Sequence, residues 1–274
     1  MRLPRVMLWA WERPEDLRFL DPRRVGVAFL AGTIEIGEFG EGTSISPDRA
    51  VVLRPRLDSL AVPQGTAVMA VVRIETPKDL WRRRGFSREG PGVTPQDSVY
   101  SGAQRLRVAG MIASMVRIPG VRAVQVDYDA TESELPFYRR LLEGVRRRLP
   151  PDMPLSITAL ASWCLGGEPW LNSLPHGAID EAVPMLFRMG PGGPGVASFL
   201  ESGAPFPAPA CGGSLGVSTD EAFSQAVLGG ALASGAGRVL GRVYVFSSGP
   251  WTKAAVDQIL TEVDRWDDQS SESR

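Results

Sequence analysis

The feature that most constrains the fold is a series of eight short apolar runs of strand length, separated by polar or helical stretches. Most runs are continuously apolar rather than alternating, which is typical of parallel strands covered by helices on the outside. The predicted strands are 6–11, 25–31, 67–74, 121–126, 155–161, 182–187, 214–217 and 242–246. Eight such alternations in a chain of 274 residues predict an α/β fold, a (β/α)8 barrel.

Helical patterns lie between several of these runs, and the predicted helices are 102–118, 133–149, 221–234 and 251–266. Two helices begin at candidate capping boxes, Thr131 with Glu134 and Ser218 with Glu221. Elsewhere some helices are expected to be short or replaced by loops, because the connecting segments are rich in Gly and Pro. Those segments are 162–180 and 188–211, the glycine-rich stretch 190–195 is interpreted as a turn, and 50–57 as an extended hairpin arm.

We expect one barrel domain over residues 1–266 and a disordered polar tail over 267–274. The N-terminus leads into strand-like sequence without the apolar core of a signal peptide, which predicts a cytoplasmic protein for the sequence as it stands. A start further upstream would be compatible with secretion or a periplasmic location. Cys164 and Cys211 are too few for a disulfide framework, and they pair only if the fold brings them together.

Charge and residue usage exclude several classes of function. The 30 basic and 31 acidic residues are balanced, which argues against a nucleic-acid partner or an anionic membrane surface. No apolar run approaches the ~18 residues of a membrane span. The single histidine, His176, excludes multi-histidine metal sites and argues against a Ser-His-Asp triad. We therefore expect acid–base chemistry from Asp, Glu, Tyr or Lys, with no cofactor; the oligomeric state stays open.

The segment Val124–Ala130, with the sequence VQVDYDA, carries the strongest chemical signal. Because side chains alternate along a strand, Asp127 and Asp129 share a face with Gln125, roughly 7 Å apart. Two like charges in a buried setting raise each other's pKa, a cost that a fold tolerates most readily where the carboxylates do chemistry. The alternative is that both lie in a loop and accept hydrogen bonds from amides at a helix start.

Active chemistry in such a barrel lies at the C-terminal ends of the strands. The candidate catalytic carboxylates there are Asp127, Asp129, Glu12 and Glu75, and the candidate substrate-binding residues are Trp11, Thr33, Arg73, Thr158, Trp163, Arg188 and Trp251. Carboxylate pairs cleave glycosidic bonds, indole faces stack on sugar rings, and arginine or threonine binds hydroxyls or an acidic substituent. The alternatives are core packing for the tryptophans, structural ion pairs for the arginines, and a helix cap for Glu12.

One long segment could cover such a site. Residues 77–101 carry Trp81, three consecutive arginines and Phe86 between proline- and glycine-rich flanks. This segment is either a basic, aromatic lid that favours acidic glycans or a solvated surface loop.

The segments Leu8–Arg13, Val124–Ala130, Ser156–Cys164 and Val183–Gly190 resemble a bacterial family described only as a domain of unknown function. That family is similar to glycoside-hydrolase-like TIM barrels, and the resemblance covers most of the chain. A looser similarity is to chitinase-like glycosidases, whose fourth strand ends in Asp-x-Asp-x-Glu. Asp127 and Asp129 match its first two positions, but Thr131 stands where the catalytic glutamate belongs, which argues against a substrate-assisted mechanism.

Three functions are consistent with these features. The leading one is a hydrolase of glycosidic bonds with Asp127 and Asp129 at its centre and Glu12 or Glu75 as partner, retaining or inverting. The second is a non-catalytic barrel that binds a saccharide. The third is a lyase or hydrolase that holds Mg²⁺ or Ca²⁺ through Asp127, Asp129 and Glu75.

Overall fold

The computed structural model describes residues 3–37, 51–56, 59–76, 100–165, 170–229 and 241–272. Residues 77–99, which make up nearly all of the candidate lid segment, therefore lie outside the described part of the chain.

Eight parallel strands close into a barrel, as the apolar runs predict. In chain order the strands are β1 (Val6–Ala10), β2 (Glu15–Asp16), β3 (Val25–Ile36), β4 (Val51–Pro55), β5 (Leu60–Ala61), β6 (Val68–Glu75), β7 (Val121–Asp127), β8 (Leu155–Leu160), β9 (Glu181–Met185), β10 (Ser214–Ser218) and β11 (Arg242–Phe246). The barrel order is β1, β3, β6, β7, β8, β9, β10 and β11, and β11 pairs with β1 to close the ring. The (β/α)8 prediction is thus confirmed.

Two smaller features decorate the barrel. β4 pairs antiparallel with the second half of β3, so the predicted hairpin arm is present. β2 and β5 form a separate two-stranded sheet. Residues 11–24, between β1 and β3, contain β2 and no helix, in agreement with the expectation that some helices are replaced.

The helices are α1 (Gly102–Ser114), α2 (Leu135–Arg146), α3 (Ala161–Leu165), α4 (Gly193–Glu201), α5 (Ala222–Leu228) and α6 (Lys253–Glu272). Two expectations differ from this arrangement. The stretch 190–195 is not simply a turn, since a 3-10 turn over Gly190–Gly192 runs directly into α4. α6 continues to Glu272, into the segment whose composition predicts a disordered tail.

The two candidate capping boxes have different outcomes. Thr131 and Glu134 form the predicted box, and the Glu134 carboxylate accepts the Thr131 N–H over 2.7 Å. The second box is wrong. Glu221 is itself the N-terminal cap residue of α5, without a side-chain capping bond, and its carboxylate instead accepts the backbone N–H of Arg188.

Period-two alternation divides the apolar residues between two cores. The larger lies between the barrel and its helices and contains Val124, Val126 and Tyr128, as predicted from their shared strand face. The smaller fills the barrel interior and consists of Met7, Trp9, Ala28, Met69, Val71, Ala123, Val183 and Tyr244. Gln125 and Asp127 share the inward face of β7, so the alternation of VQVDYDA aims the carboxylate into the barrel mouth.

Cys164 and Cys211 are joined by a disulfide, with their Cα atoms 6.0 Å apart. The bond links α3, which follows β8, to the short segment that precedes β10. No helix in the described residues combines the length and the apolar character needed to cross a bilayer.

Candidate active site

A cavity of about 1040 Å³ opens at the C-terminal ends of the barrel strands. One side is polar and carries Glu12, Arg13, Arg73, Asp127, Asp129 and Thr158. The opposite side is apolar and aromatic and carries Leu160, Leu165, Met185, Phe187, Met189, Val196, Phe199 and Phe246. A concave site with a few convergent charged groups and an apolar wall is the usual form of a binding site for a small molecule.

Asp127, the last residue of β7, is the carboxylate held most firmly in this cavity. Its side chain is 15% exposed, and the Thr158 hydroxyl on neighbouring β8 donates a 2.7 Å hydrogen bond to its Oδ1. A hydrogen bond donated to a carboxylate oxygen stabilises the charged form and fixes the orientation of the group.

Arg73, near the end of β6, contacts three carboxylates at once. Its Nε lies 3.4 Å from Glu75 Oε1 and 3.9 Å from Asp127 Oδ2, and its Nη1 lies 3.7 Å from Glu12 Oε1. The guanidinium carbon also lies 5.8 Å from the centre of the Trp11 ring, within cation–π range. The planar guanidinium with five donors suits this role, because it can face several acceptors at fixed angles.

This shared cation limits how far apart the Glu12 and Asp127 carboxylates can be. Glu12 and Asp127 each contact a different nitrogen of the Arg73 guanidinium, so their nearest oxygens lie within about 10 Å, a limit that includes the carboxylate spacings of retaining and inverting glycosidases. Glu12 follows β1, and β1 is separated from β7 by β3 and β6 in the barrel. The two carboxylates therefore approach the cavity from well-separated points on its rim.

Asp129 lies beyond the end of β7 and lines the same cavity, but it is exposed. Behind the two aspartates, Tyr138 of α2 is fully buried against Tyr128, at a ring-centre distance of 5.1 Å. Burial raises the pKa of Tyr138 well above 10, and the negative charges of Asp127 and Asp129 raise it further. Tyr138 therefore stays a neutral phenol at physiological pH.

The indole of Trp9 forms the cavity floor and packs directly against the backbone of β10 at Gly216. A Cβ at Gly216 would lie 2.8 Å from Trp9 Cη2, so only glycine leaves room for the ring. The Trp9 indole N–H donates to Gln125 Oε1 over 2.9 Å, and the Gln125 amide donates to the Ser156 hydroxyl over 3.0 Å. Ser156 in turn donates to Glu181 over 3.2 Å.

This series of hydrogen bonds ends at Glu181, the first residue of β9, near the N-terminal ends of the barrel strands. Its carboxylate pairs with Arg242 and accepts the Tyr244 hydroxyl over 2.7 Å. Buried charges are tolerated only when they are paired and hydrogen-bonded. This hydrogen-bonded network therefore explains how polar groups can occupy the barrel interior. The orientation of Trp9 is thereby tied to the barrel core.

The structure brings together most, but not all, of the residues selected from the sequence. The cavity is lined by Glu12, Asp127, Asp129, Trp11, Arg73, Thr158 and Arg188. Glu75 is buried behind Arg73 and does not line the cavity, so its place is that of a structural ion pair. Thr33, on β3, lies alongside Arg73 in the strand register but also outside the lining.

Trp163 and Trp251 are core residues and not part of the cavity wall. The Trp163 ring packs against Tyr138 and Trp170, with ring centres 6.2 and 5.3 Å apart. The Trp251 indole N–H donates to the Trp9 carbonyl over 3.0 Å, and its ring is buried. Both follow a strand end, as expected, but both belong to the core outside the barrel, where their large apolar area is removed from water.

Sequence reasoning missed the apolar wall. Phe187 and Phe246 stack with ring centres 5.7 Å apart, and the edge of Phe187 faces Trp9 at 6.1 Å. Period-two alternation offered a signal, because Phe187 follows inward-facing Val183 and Met185, and Phe246 follows inward-facing Tyr244. These rings provide the flat apolar surface that faces the carboxylates.

Within the described residues, no three His, Cys, Asp or Glu side chains are placed to hold a metal ion. The proposed ligand set is disrupted by Arg73, whose guanidinium contacts both Glu75 and Asp127. A cation from the protein thus takes the position that Mg²⁺ or Ca²⁺ would need among oxygen ligands.

The sequence profile of a family described as a domain of unknown function (DUF3142) matches residues 106–186. The match includes Val124–Ala130 and Ser156–Cys164 entirely, Val183–Gly190 in part, and not Leu8–Arg13. The resemblance noted from the sequence is confirmed over this part of the chain. No curated protein sequence matches this chain significantly.

Among solved structures, a chitinase from Rhizomucor miehei is similar at 10% identity, with a TM-score of 0.53 and coverage of 96% of this chain and 99% of that one. This likeness shows that the two proteins share the barrel fold. An endo-beta-N-acetylglucosaminidase from Cordyceps militaris aligns at 9% identity with a TM-score of 0.46, covering 96% of this chain and 91% of that one. A GH113 beta-1,4-mannanase aligns at 9% identity with a TM-score of 0.43, covering 93% and 92%.

Proposed function

We propose that this protein is a glycoside hydrolase that cleaves its substrate between Asp127 and a second carboxylate, Glu12. The observation that carries the proposal is the Arg73 guanidinium, which contacts both groups and keeps them within about 10 Å of each other across the cavity. Two carboxylates that face one cavity within this distance are what both retaining and inverting glycosidases require.

The surroundings of the two carboxylates suit different tasks. Asp127 is mostly buried, accepts the Thr158 hydroxyl and lies beside Arg73, which together favour a charged, oriented carboxylate acting as base or nucleophile. Glu12 is 54% exposed at the rim, on the other side of Arg73, where it can reach a substrate from the opposite direction as the second carboxylate of the pair. Asp129 lies in the same cavity and adds negative charge that stabilises an oxocarbenium-like transition state.

The rest of the cavity suits a saccharide. The Trp9, Trp11 and Phe187 rings offer apolar faces, while Arg73 offers hydrogen-bond donors and the Thr158 oxygen an acceptor for sugar hydroxyl groups. The fold shared with a chitinase is consistent with this substrate class, because it is a barrel on which a glycosidase site can be built. The fold alone does not identify the glycan.

A second candidate function, saccharide binding without turnover, is favoured by one observation. Glu132 and Glu134, the acidic residues nearest to the position of the chitinase glutamate, are both absent from the cavity lining. Glu134 is instead buried in the capping box with Thr131, where its Oε1 accepts the Tyr100 hydroxyl over 3.2 Å. On this alternative the cavity would bind a glycan tightly and release it unchanged.

The experiment is a panel of oligosaccharides screened for release of reducing ends. The wild type is run beside Asp127→Asn, Glu12→Gln and Asp129→Asn, with Asp152→Asn as the control for an exposed aspartate outside the cavity. We expect the Asp127 and Glu12 variants to lose at least 100-fold in turnover, because each removes a group that acts only in the transition state. Full activity of both variants would overturn the assignment, and tight binding without turnover by the wild type would establish the second function.

A further inference from the structure

Arg188 lies on the apolar side of the cavity, and its side chain reaches the end of β11, across the barrel from Asp127. Its guanidinium carbon lies 5.7 Å from the centre of the Phe246 ring, which in turn stacks on Phe187. All three residues line the cavity. The cation is therefore supported on an aromatic platform that faces the space available to a ligand.

The backbone of Arg188 is held in an unusual conformation. Its φ is +53°, the left-handed region, and Arg188 is the one non-glycine residue of the described chain with a positive φ. The Glu221 carboxylate accepts the Arg188 N–H through both oxygens, at 3.0 and 3.2 Å. Glycine would occupy this position without strain. A strained arginine with a dedicated carboxylate on its backbone indicates that the side chain itself is used.

The other two arginines of the cavity are already paired. Arg13 contacts Glu15 at 2.6 Å and donates to the carbonyls of Ser247 and Ser248. Arg73 contacts its three carboxylates. In the described part of the chain, Arg188 is the cavity-lining cation whose guanidinium pairs with no carboxylate.

We infer that Arg188 forms a subsite for a carboxylate carried by the saccharide, so that the substrate is an acidic glycan containing uronate units. This inference rests on the proposed function and adds the substrate class. A guanidinium binds a carboxylate through two parallel N–H donors, a geometry that the point charge of a lysine does not offer.

The position of Arg188 also indicates which sugar unit carries the charge. Arg188 follows β9, and β8 separates β9 from β7, which ends in Asp127. At about 4.8 Å between adjacent strands, the two strand ends lie roughly 10 Å apart along the rim. The guanidinium extends further, to Phe246 at the end of β11. The acidic group therefore belongs to a sugar unit other than the reacting ring, and the subsite selects the polymer without altering that ring.

The test compares uronate-containing oligosaccharides with their carboxyl-reduced counterparts, which keep the same linkages and lose only the charge. Affinity is measured by titration calorimetry for the wild type, Arg188→Gln and Arg188→Lys, with Arg23→Gln as an exposed arginine outside the cavity. We expect the wild type and Arg23→Gln to prefer the acidic member of a pair, and Arg188→Gln to lose that preference by roughly 10- to 100-fold. Arg188→Lys keeps a charge but no bidentate donor, and it should retain part of the preference.

Arg188→Gly separates recognition from folding. Glycine relieves the positive φ, so this variant should be at least as stable to heat as the wild type while losing the preference for the acidic oligosaccharide. Inorganic sulfate and sulfated oligosaccharides are included as competitors. Tighter binding of the sulfated oligosaccharide than of the oligouronate, lost in its desulfated form and in Arg188→Gln, would place a sulfate ester, not a uronate, in the subsite and overturn the assignment.

Failure of this inference is distinguishable from failure of the proposed function. If neutral and acidic oligosaccharides bind the wild type equally, or if Arg188→Gln keeps the preference, the anion subsite is overturned while the glycosidase proposal stands. If no saccharide of either kind is bound or cleaved, both are overturned.

Discussion

The Thr158 hydroxyl donates a 2.7 Å hydrogen bond to Asp127 Oδ1, and this contact joins the ends of the neighbouring strands β8 and β7. Both residues point into the barrel mouth because each lies on the inward face of its strand. The strand pairing thus positions the carboxylate, and the hydroxyl fixes its rotation. Asp127 is therefore oriented before any substrate arrives, which is a requirement for efficient general-base or nucleophilic catalysis.

Replacing Thr158 by valine tests this relationship. The change is nearly isosteric and removes only the donor, so we expect turnover to fall by roughly ten-fold or more while the fold persists. Thr33→Val is the matched control, because Thr33 is also a strand threonine near the barrel mouth but does not line the cavity. Initial rates on a cleaved oligosaccharide provide the measurement. Equal rates for the two variants would show that the hydrogen bond has no role in catalysis.

The fit of Trp9 over Gly216 leads to a second prediction. An added Cβ would lie 2.8 Å from Trp9 Cη2 and 3.3 Å from Val183 Cγ1, so Gly216→Ala must displace the indole that forms the cavity floor. Overpacking of this kind costs about 1–3 kcal/mol, and the displaced ring should also weaken saccharide binding. Chemical denaturation and calorimetric titration measure the two effects.

Gly213→Ala is the control for that variant, since a Cβ at Gly213 meets no atom within 4 Å. It should leave both stability and affinity close to those of the wild type. A Gly216→Ala protein as stable and as tightly binding as Gly213→Ala would mean that Trp9 is not held by this contact.

The barrel could be predicted from sequence because its determinants are local. Each strand is an apolar run covered on both faces, and Val121–Asp127 and Arg242–Phe246 have bounds within a residue of those expected. The polar half of the cavity could also be predicted from the sequence, because strand alternation and the location of barrel sites at strand ends suffice to select Asp127, Arg73 and Thr158.

What could not be predicted depends on the path of the chain after each strand. Trp11 and Trp251 both follow strand ends, yet Trp11 lines the cavity and Trp251 is buried in the outer core, with its indole N–H bonded to the Trp9 carbonyl. The same limit applies to Glu221. Its sequence context with Ser218 matches a capping box as well as that of Glu134, but the left-handed backbone of Arg188 presents an N–H that takes the carboxylate instead.

The buried tyrosines predict how stability depends on alkaline pH. Burial raises the pKa of Tyr138 well above 10, aided by the charges of Asp127 and Asp129. Burial likewise raises the pKa of Tyr244, aided mainly by Glu181. Because the folded pKa values exceed the unfolded value of about 10, this contribution to stability is complete below pH 10 and is lost as pH rises toward the folded pKa.

Tyr138→Phe isolates one of these groups. Above pH 10 the free energy of unfolding of the wild type should fall more steeply than that of the variant, by up to about 1.4 kcal/mol per pH unit. Denaturant unfolding at a series of pH values measures the two slopes, and phenolate absorbance reports when the phenols ionise. Identical slopes would show that Tyr138 ionises equally in the folded and unfolded chain.

The disulfide between Cys164 and Cys211 predicts sensitivity to reductant. Its sequence separation of 47 residues corresponds to a loop-closure stabilisation of about 4 kcal/mol in the chain-entropy model. The bond also holds α3, whose residues Ala161, Ser162 and Leu165 line the cavity. Reduction should therefore lower both the denaturant midpoint and the affinity for oligosaccharide.

A double variant, Cys164→Ala with Cys211→Ala, provides the control. It should show the lower midpoint without reductant and no further change when reductant is added, because its loop is permanently open. Denaturation curves of the two proteins, each with and without dithiothreitol, are compared at the same protein concentration. If reductant shifts neither midpoint and the double variant matches the oxidised wild type, the bond contributes no stability and α3 is held by packing alone.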